Sequence, residues 1–267
     1  MKSAIKRSLL STLVLTVVAA LPARADEWSK TYKLTGKPDL RIETSDANIR
    51  ITTGDQNTLE AKVITSRYKI GEGGIRVDER QSGNEVEIEV HFPHNNFIFG
   101  WNSHRVDIIV QMPREGDVNL RTGDGKIEVV GLKGEMDLHS GDGSENLDNV
   151  DGNLRATTGD GSIQANGRFD GLELKTGDGH VDVRAGSGSS LASNWRLETG
   201  DGSVSLEVPS NFAADVDLHT SDGHIDLDMP VAAEGKIRQN EIHGKINGGG
   251  SLLTIRTGDG SIHLRKG

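Results

Sequence analysis

Thr122-Gly123-Asp124-Gly125-Lys126-Ile127 is answered 18 residues on by Ser140-Gly141-Asp142-Gly143-Ser144-Glu145, then by Thr158-Gly159-Asp160-Gly161-Ser162-Ile163, then by Thr176-Gly177-Asp178-Gly179-His180-Val181. The tripeptide returns around Asp201 and Asp259, Ser221-Asp222-Gly223 is a near copy, and the later steps are 23, 21 and 37 residues. A fixed period of this length marks stacked structural units. The step of 37 has room for one further, degenerate copy.

Aligning the copies on the Asp shows what each unit is. Six before stand Val118, Met136, Leu154, Leu172, Trp195, Val216 and Leu253, and four before stand Leu120, Leu138, Ala156, Leu174, Leu197, Leu218 and Ile255. Two before is always a hydroxyl, from Thr122 and Ser140 to Thr257, and three and five after are apolar pairs such as Ile127/Val129, Val181/Val183 and Ile262/Leu264. The residues between are polar. Period-two alternation on both sides of a turn predicts strands with one buried face. Glu145 alone breaks the inward row, so the coil around Asp142 is expected to be the weakest.

The template also fits Leu40, Ile42, Thr44-Ser45-Asp46-Ala47, Ile49 and Ile51, a diverged copy. Between it and the main array, residues 58–67, 74–80, 85–92 and 105–112 read as longer alternating strands, and Gln81-Ser82-Gly83-Asn84 predicts an antiparallel hairpin. Nothing after residue 25 reads as a helix. Thirteen of the 34 glycines flank the corner aspartates; a tight turn wants φ > 0, which Gly adopts freely, and an Asp side chain can bond the backbone N–H groups ahead of it. Asp-Gly also favours hairpins, so successive hairpins are an alternative. A constant 18-residue step favours coils in register. The expected fold is therefore all-β, a parallel β-solenoid (single-stranded β-helix) of about 18 residues per coil with an antiparallel hairpin inserted in its N-terminal part. Stacking would line the Thr and Ser positions into a ladder.

Outward from the repeat, the chain has 267 residues, no cysteine and a formal charge of −10. Lys2, Lys6 and Arg7 precede the apolar run 9–21, and Pro22-Ala23-Arg24-Ala25 supplies a small-x-small signal, so residues 1–25 read as a secretory signal peptide. Residues 26–115 then form an N-terminal β region with one diverged repeat and the hairpin, continuous with the repeats of 116–267. Without its four N-terminal cations the chain's charge is −14, which argues against a nucleic-acid binder. Lack of cysteine excludes thiol catalysis, Cys-ligated metals and disulfides. The localisation expected is periplasmic or secreted, with no stable membrane span after signal cleavage.

Stacked coils would set the corner carboxylates about 5 Å apart, which raises calcium binding as one reading. Two such charges in water repel by only ~1 kcal/mol, within reach of turn hydrogen bonds, and the spacing differs from calcium β-roll and EF-hand patterns. A β-helix can also carry a carbohydrate-active enzyme, whose acids converge in one cleft. Here each coil carries one Asp at one corner, and no nucleophile elbow, zincin helix or P-loop occurs. Histidines such as His219, His224 and His263 fall on outward positions. No catalytic, cofactor or metal residue is assigned. One segment stands out: Phe92, Phe97, Ile98, Phe99 and Trp101 cluster in a chain with ten aromatics. It reads either as a plug over an open end or sheet edge or as an exposed tip that contacts a partner, with Phe97, Phe99 and Trp101 as the candidate contacts.

The Thr-Gly-Asp-Gly-x-Ile array of 121–264, the early Thr44-Ser45-Asp46-Ala47-Asn48-Ile49 and the late His243-Gly244-Lys245-Ile246-Asn247-Gly248-Gly249-Gly250 resemble the bacterial putative-adhesin family of β-strand-repeat proteins, a domain of unknown function. The resemblance implies an envelope protein without catalytic residues or cofactors. The expected function is that of a non-catalytic, extracytoplasmic, adhesin-like binding or scaffolding protein of the bacterial envelope, whose partner is a protein or glycan of that envelope. The alternatives are the carbohydrate-active enzyme and the calcium-binding β-roll.

Overall fold

The computed structural model describes residues 26–66, 68–93, 105–233 and 238–267. The signal peptide assigned to residues 1–25 and the candidate contacts Phe97, Phe99 and Trp101 lie outside them. Every regular element among the described residues is a strand.

Each coil contributes one strand before its Asp corner and one after it, and the two sets form two faces around a shared apolar interior. On the upstream face the order begins Arg76–Ser82, Glu85–His91, Asp39–Thr44, Asp117–Thr122 and Lys133–Ser140. It continues through the second halves of Glu145–Thr158 and Ile163–Thr176 to Trp195–Thr199. On the downstream face it runs Asp26–Lys33, Thr58–Ser66, Arg105–Pro113, Asn48–Gly54, Ile127–Val130, the first halves of the same two long strands, Val181–Ala185 and Val204–Val208. Those 14-residue strands bend around the far corner, where Gly152 takes a φ of 129°. Pairing through the stack is parallel and in phase with the repeat: Val118 faces Met136, and Leu154 faces Leu172. Leu120, Leu138, Ala156, Leu174, Leu197, Ile127, Ile163 and Val204 are all buried, as the alternation requires.

The fold is thus all-β and β-solenoid-like, built of repeats, but its sheet is mixed. The expected hairpin is present, Arg76–Ser82 against Glu85–His91, with Gly83 at φ 64° in its turn. Antiparallel pairing extends beyond it, because Thr58–Ser66 is sandwiched antiparallel between Asp26–Lys33 and Arg105–Pro113.

The C-terminal end departs from sequence order. Leu252–Thr257 lies between Trp195–Thr199 and Ala214–Thr220, and Ile262–Lys266 lies between Val204–Val208 and Ile225–Asp228. The coil of Asp259 is therefore inserted between those of Asp201 and Asp222. Among its described residues the 37-residue step holds no degenerate coil: Glu241–Ile246 runs antiparallel to Ala214–Thr220, with Ala232–Ala233 on its other edge, and caps the upstream face. The physical reason is the return path. A chain that has gone one coil too far must reverse before it can fill the gap behind it.

Candidate binding surface

The tight turn expected at the corner, with left-handed glycines, is not what forms there. None of the glycines flanking a corner Asp has a positive φ. They are glycines because coils touch there. A Cβ on Gly143 would collide with the carbonyl oxygen of Gly125, one on Gly161 with that of Gly143, and one on Gly202 with that of Gly179. The stack spacing of ~4.8 Å leaves no room for a methyl pointing along the axis.

The hydroxyl two before each Asp is buried, and apart from Thr44, whose Oγ1 has no hydrogen-bond partner, these hydroxyls bond the neighbouring coil. Thr176 Oγ1 accepts from Gly179 N–H (3.2 Å) in its own coil and donates to Gly161 O (2.7 Å) in the coil below. Ser140, Thr199, Thr220 and Thr257 do the same. The ladder joins hydroxyl to backbone rather than hydroxyl to hydroxyl.

The aspartates themselves line up in the spatial order Asp46, Asp124, Asp142, Asp160, Asp178, Asp201, Asp259, Asp222, all exposed. Among the hydrogen bonds found for described residues, none uses these carboxylates. The backbone N–H groups expected to bond them go instead to the buried hydroxyls and to the neighbouring coil, as Asp142 N–H does to Gly123 O at 3.1 Å. Partial burial, then the neighbouring Asp124 charge, raises the pKa of Asp46. Among the described residues no three His, Asp or Glu side chains form a metal-holding group.

Beside the first two acids lies a groove of about 720 Å³, lined by Asp46, Asn48, Arg50, Arg105, Asp124 and Lys126 among others. Its charges are largely paired: Arg50 with Glu128 at 2.9 Å, Arg105 with Asp107 at 2.9 Å, and Asn48 Nδ2 donating to Asp107 at 2.9 Å. Arg105, in the lining of this groove, is the first described residue after 94–104. Phe92, the described member of that segment, packs edge-on against Tyr68 with ring centres 5.9 Å apart. Sequence reasoning missed this groove because its walls come from three stretches over 80 residues of chain.

At the other end His224 and His263 both reach Asp226 Oδ2 at 3.1 Å, and His224 Nδ1 meets Ser261 Oγ at 2.9 Å. The sequence had placed His224 and His263 on outward positions; in the structure they meet across the seam made by the inserted coil.

These features define a class: a repeat-built, all-β stack with an acidic edge and charge-paired grooves. The chain belongs to the Toastrack DUF4097 family, whose profile matches residues 38–194 and again 115–265. No curated protein matches it. Among solved structures it is similar to a putative adhesin from Bacteroides fragilis NCTC 9343, at 10% identity, TM-score 0.49, covering 91% of this chain and 98% of that one. It is also similar to a putative cell adhesion protein from Clostridium sporogenes ATCC 15579, at 13% identity, TM-score 0.46, covering 91% and 100%. A putative lipid binding protein from Parabacteroides distasonis ATCC 8503 matches at 13% identity, TM-score 0.43, covering 90% and 96%.

Proposed function

We propose that the protein is a non-catalytic, extracytoplasmic, adhesin-like binding or scaffolding protein of the bacterial envelope, built as a rigid parallel β-helix of 18-residue coils. Residues 26–115 form its N-terminal part and 116–267 its repeat stack; residues 1–25 are its secretory signal. The observation that carries this reading is the even spread of the acids. Each coil exposes one Asp on one edge, whereas acid–base chemistry needs two carboxyls converging on one bond. Phe97, Phe99 and Trp101, which precede Arg105 in the sequence, are the contacts for a protein or glycan of the envelope, since an aromatic cluster presented at a surface marks an interaction site.

Crosslinking capture from intact cells tests this. The wild type is expected to retain a discrete envelope component, and the Phe97→Ser/Phe99→Ser/Trp101→Ser variant is expected to lose it with an unchanged melting temperature. Loss of folding in that variant would show a plug instead of a contact. Reducing-sugar release from envelope or plant polysaccharides would overturn the non-catalytic reading.

A further inference from the structure

The out-of-order coil makes a slot with two preformed walls. On the upstream face Leu253, Ile255 and Thr257 sit between Trp195, Leu197 and Thr199 on one side and Val216, Leu218 and Thr220 on the other. On the downstream face Ile262 and Leu264 sit between Val204 and Leu206 on one side and Ile225 and Leu227 on the other. Leu253, Ile255, Ile262 and Leu264 have no exposed surface. We propose that this slot is an interaction site for a second copy of the chain, taking that copy's 252–266 coil in exchange for its own.

Three observations lead there. The first is that the contacts in the slot are generic. Gly258 N–H bonds Gly200 O (2.6 Å), Ser221 N–H bonds Gly258 O (3.0 Å), Thr257 Oγ1 bonds Gly202 O (2.7 Å) and Thr220 Oγ1 bonds Gly260 O (2.7 Å). Each is a backbone or ladder bond, which the same coil of another copy reproduces in full.

The second is that the walls match each other. Leu197 and Leu218 both pair with Ile255, Thr199 and Thr220 both pair with Thr257, and Leu206 and Leu227 both pair with Leu264. If the coil leaves, the walls can close in the same register, with Thr220 taking the place of Thr257 over Gly202. Departure then forfeits one coil interface instead of two, which gives the end two packings of comparable kind. The 21-residue step before Asp222 is long enough to span either distance.

The third is the hinge. The coil follows Asn247-Gly248-Gly249-Gly250, with φ of 47°, 92° and 89° at the first three. Glycines change φ at little cost, so the coil can swing out while Glu241–Ile246 stays paired.

Edge-to-edge association is disfavoured at the first strands and at Ile225–Asp228, which are blunted. Lys30 and Glu79, set opposite the buried Ala61 and Ile88, form an ion pair across the first strands of the two faces. At the other end Ile225–Asp228 is four residues long and is soon followed by Pro230.

The absence of cysteine makes a clean test. Ser205 and His263 are register partners across one wall, and Arg196 and Thr254 across the other face. Single variants Ser205→Cys and His263→Cys, co-refolded at high protein concentration and oxidised, are expected to give disulfide dimers joining unlike chains in clear excess over like ones. The double variant should close within one chain. The pair Arg196→Cys and Thr254→Cys repeats the measurement should the first pair misfold. Unlike links no more frequent than like links, as random collision gives, would overturn the proposal, and so would failure of both double variants to close. The outcome does not depend on whether the protein is an adhesin.

Discussion

At the corner, glycine and aspartate have separate jobs that the sequence alone ran together. Gly161 is fixed by the carbonyl of Gly143 against it, while the carboxylate of Asp160 points to solvent without a hydrogen bond among those found. Gly161→Ala should therefore cost about 3 kcal/mol, the upper end of what overpacking costs, because the atom it meets is backbone. Asp160→Asn should change stability by no more than ~0.5 kcal/mol, as surface substitutions do. Urea melts of the two variants decide this, and a larger loss for the Asp variant would restore the hydrogen-bonded turn. Glu145, by contrast, was legible as the misfit of the inward row. It is fully buried between Ile127 and Ile163, neither carboxyl oxygen has a hydrogen-bond partner, and burial, with a smaller push from Asp137, lifts its pKa to about 8. The backbone N–H of Ser140 pulls the other way without making a bond of good geometry. A carboxyl raised in the folded state is protonated in both states below about pH 4.5; above that only the unfolded chain ionises. Stability should thus fall as pH rises from about 4.5 to 8, by roughly 4–5 kcal/mol in total, and then level off. Glu145→Ile should be the more stable protein, with an advantage over the wild type much larger at pH 8 than at pH 5 in urea unfolding.

Strands were the most readable level, because a two-residue period puts Leu120 and Leu138 inside and Arg121 and His139 outside wherever the chain is extended. What periodicity could not reveal is how coils attach at the corner, since a hydroxyl two before the Asp suits a surface turn as well as a buried rung. Burial decides it. Thr176→Val keeps the shape but leaves the N–H of Gly179 and the carbonyl of Gly161 without this partner. Each such loss costs about 1–3 kcal/mol, so the variant should be less stable by roughly 2–6 kcal/mol, while Thr176→Ser should lose under about 1. Equal melts for the two would show that the rung is decorative. The carboxylate column beside it, exposed and one charge per rung, needs no ion to persist: repulsion between neighbours in water is ~1 kcal/mol. EDTA is therefore expected to leave the melting temperature unchanged, and a large drop reversed by calcium would contradict that.

The order of the coils was beyond reach of the repeat pattern, for a physical reason: identical rungs fit one another in any sequence. The 18-residue template assigns Leu253, Ile255, Ile262 and Leu264 to inward positions wherever their coil sits, and only the antiparallel Glu241–Ile246 shows that the chain has turned back. That arrangement alters how the stack should fray. In a sequential solenoid stability is a sum over neighbouring interfaces, so the outermost unit opens first. Sequence order would make the Asp259 coil that unit. Here it has a coil on both sides, whereas Ile225 and Leu227 of the Asp222 coil are only partly buried and their strand pairs on one side. Native-state hydrogen exchange should accordingly find the amides of Ile255, Ile262 and Leu264 slower than those of Leu227 and Asp228, by the margin that separates an interior rung from an end one. Faster exchange in the 252–266 coil than in the Asp222 coil would mean that in solution the coils stack in chain order, and the slot between Leu197 and Leu218 would then be closed.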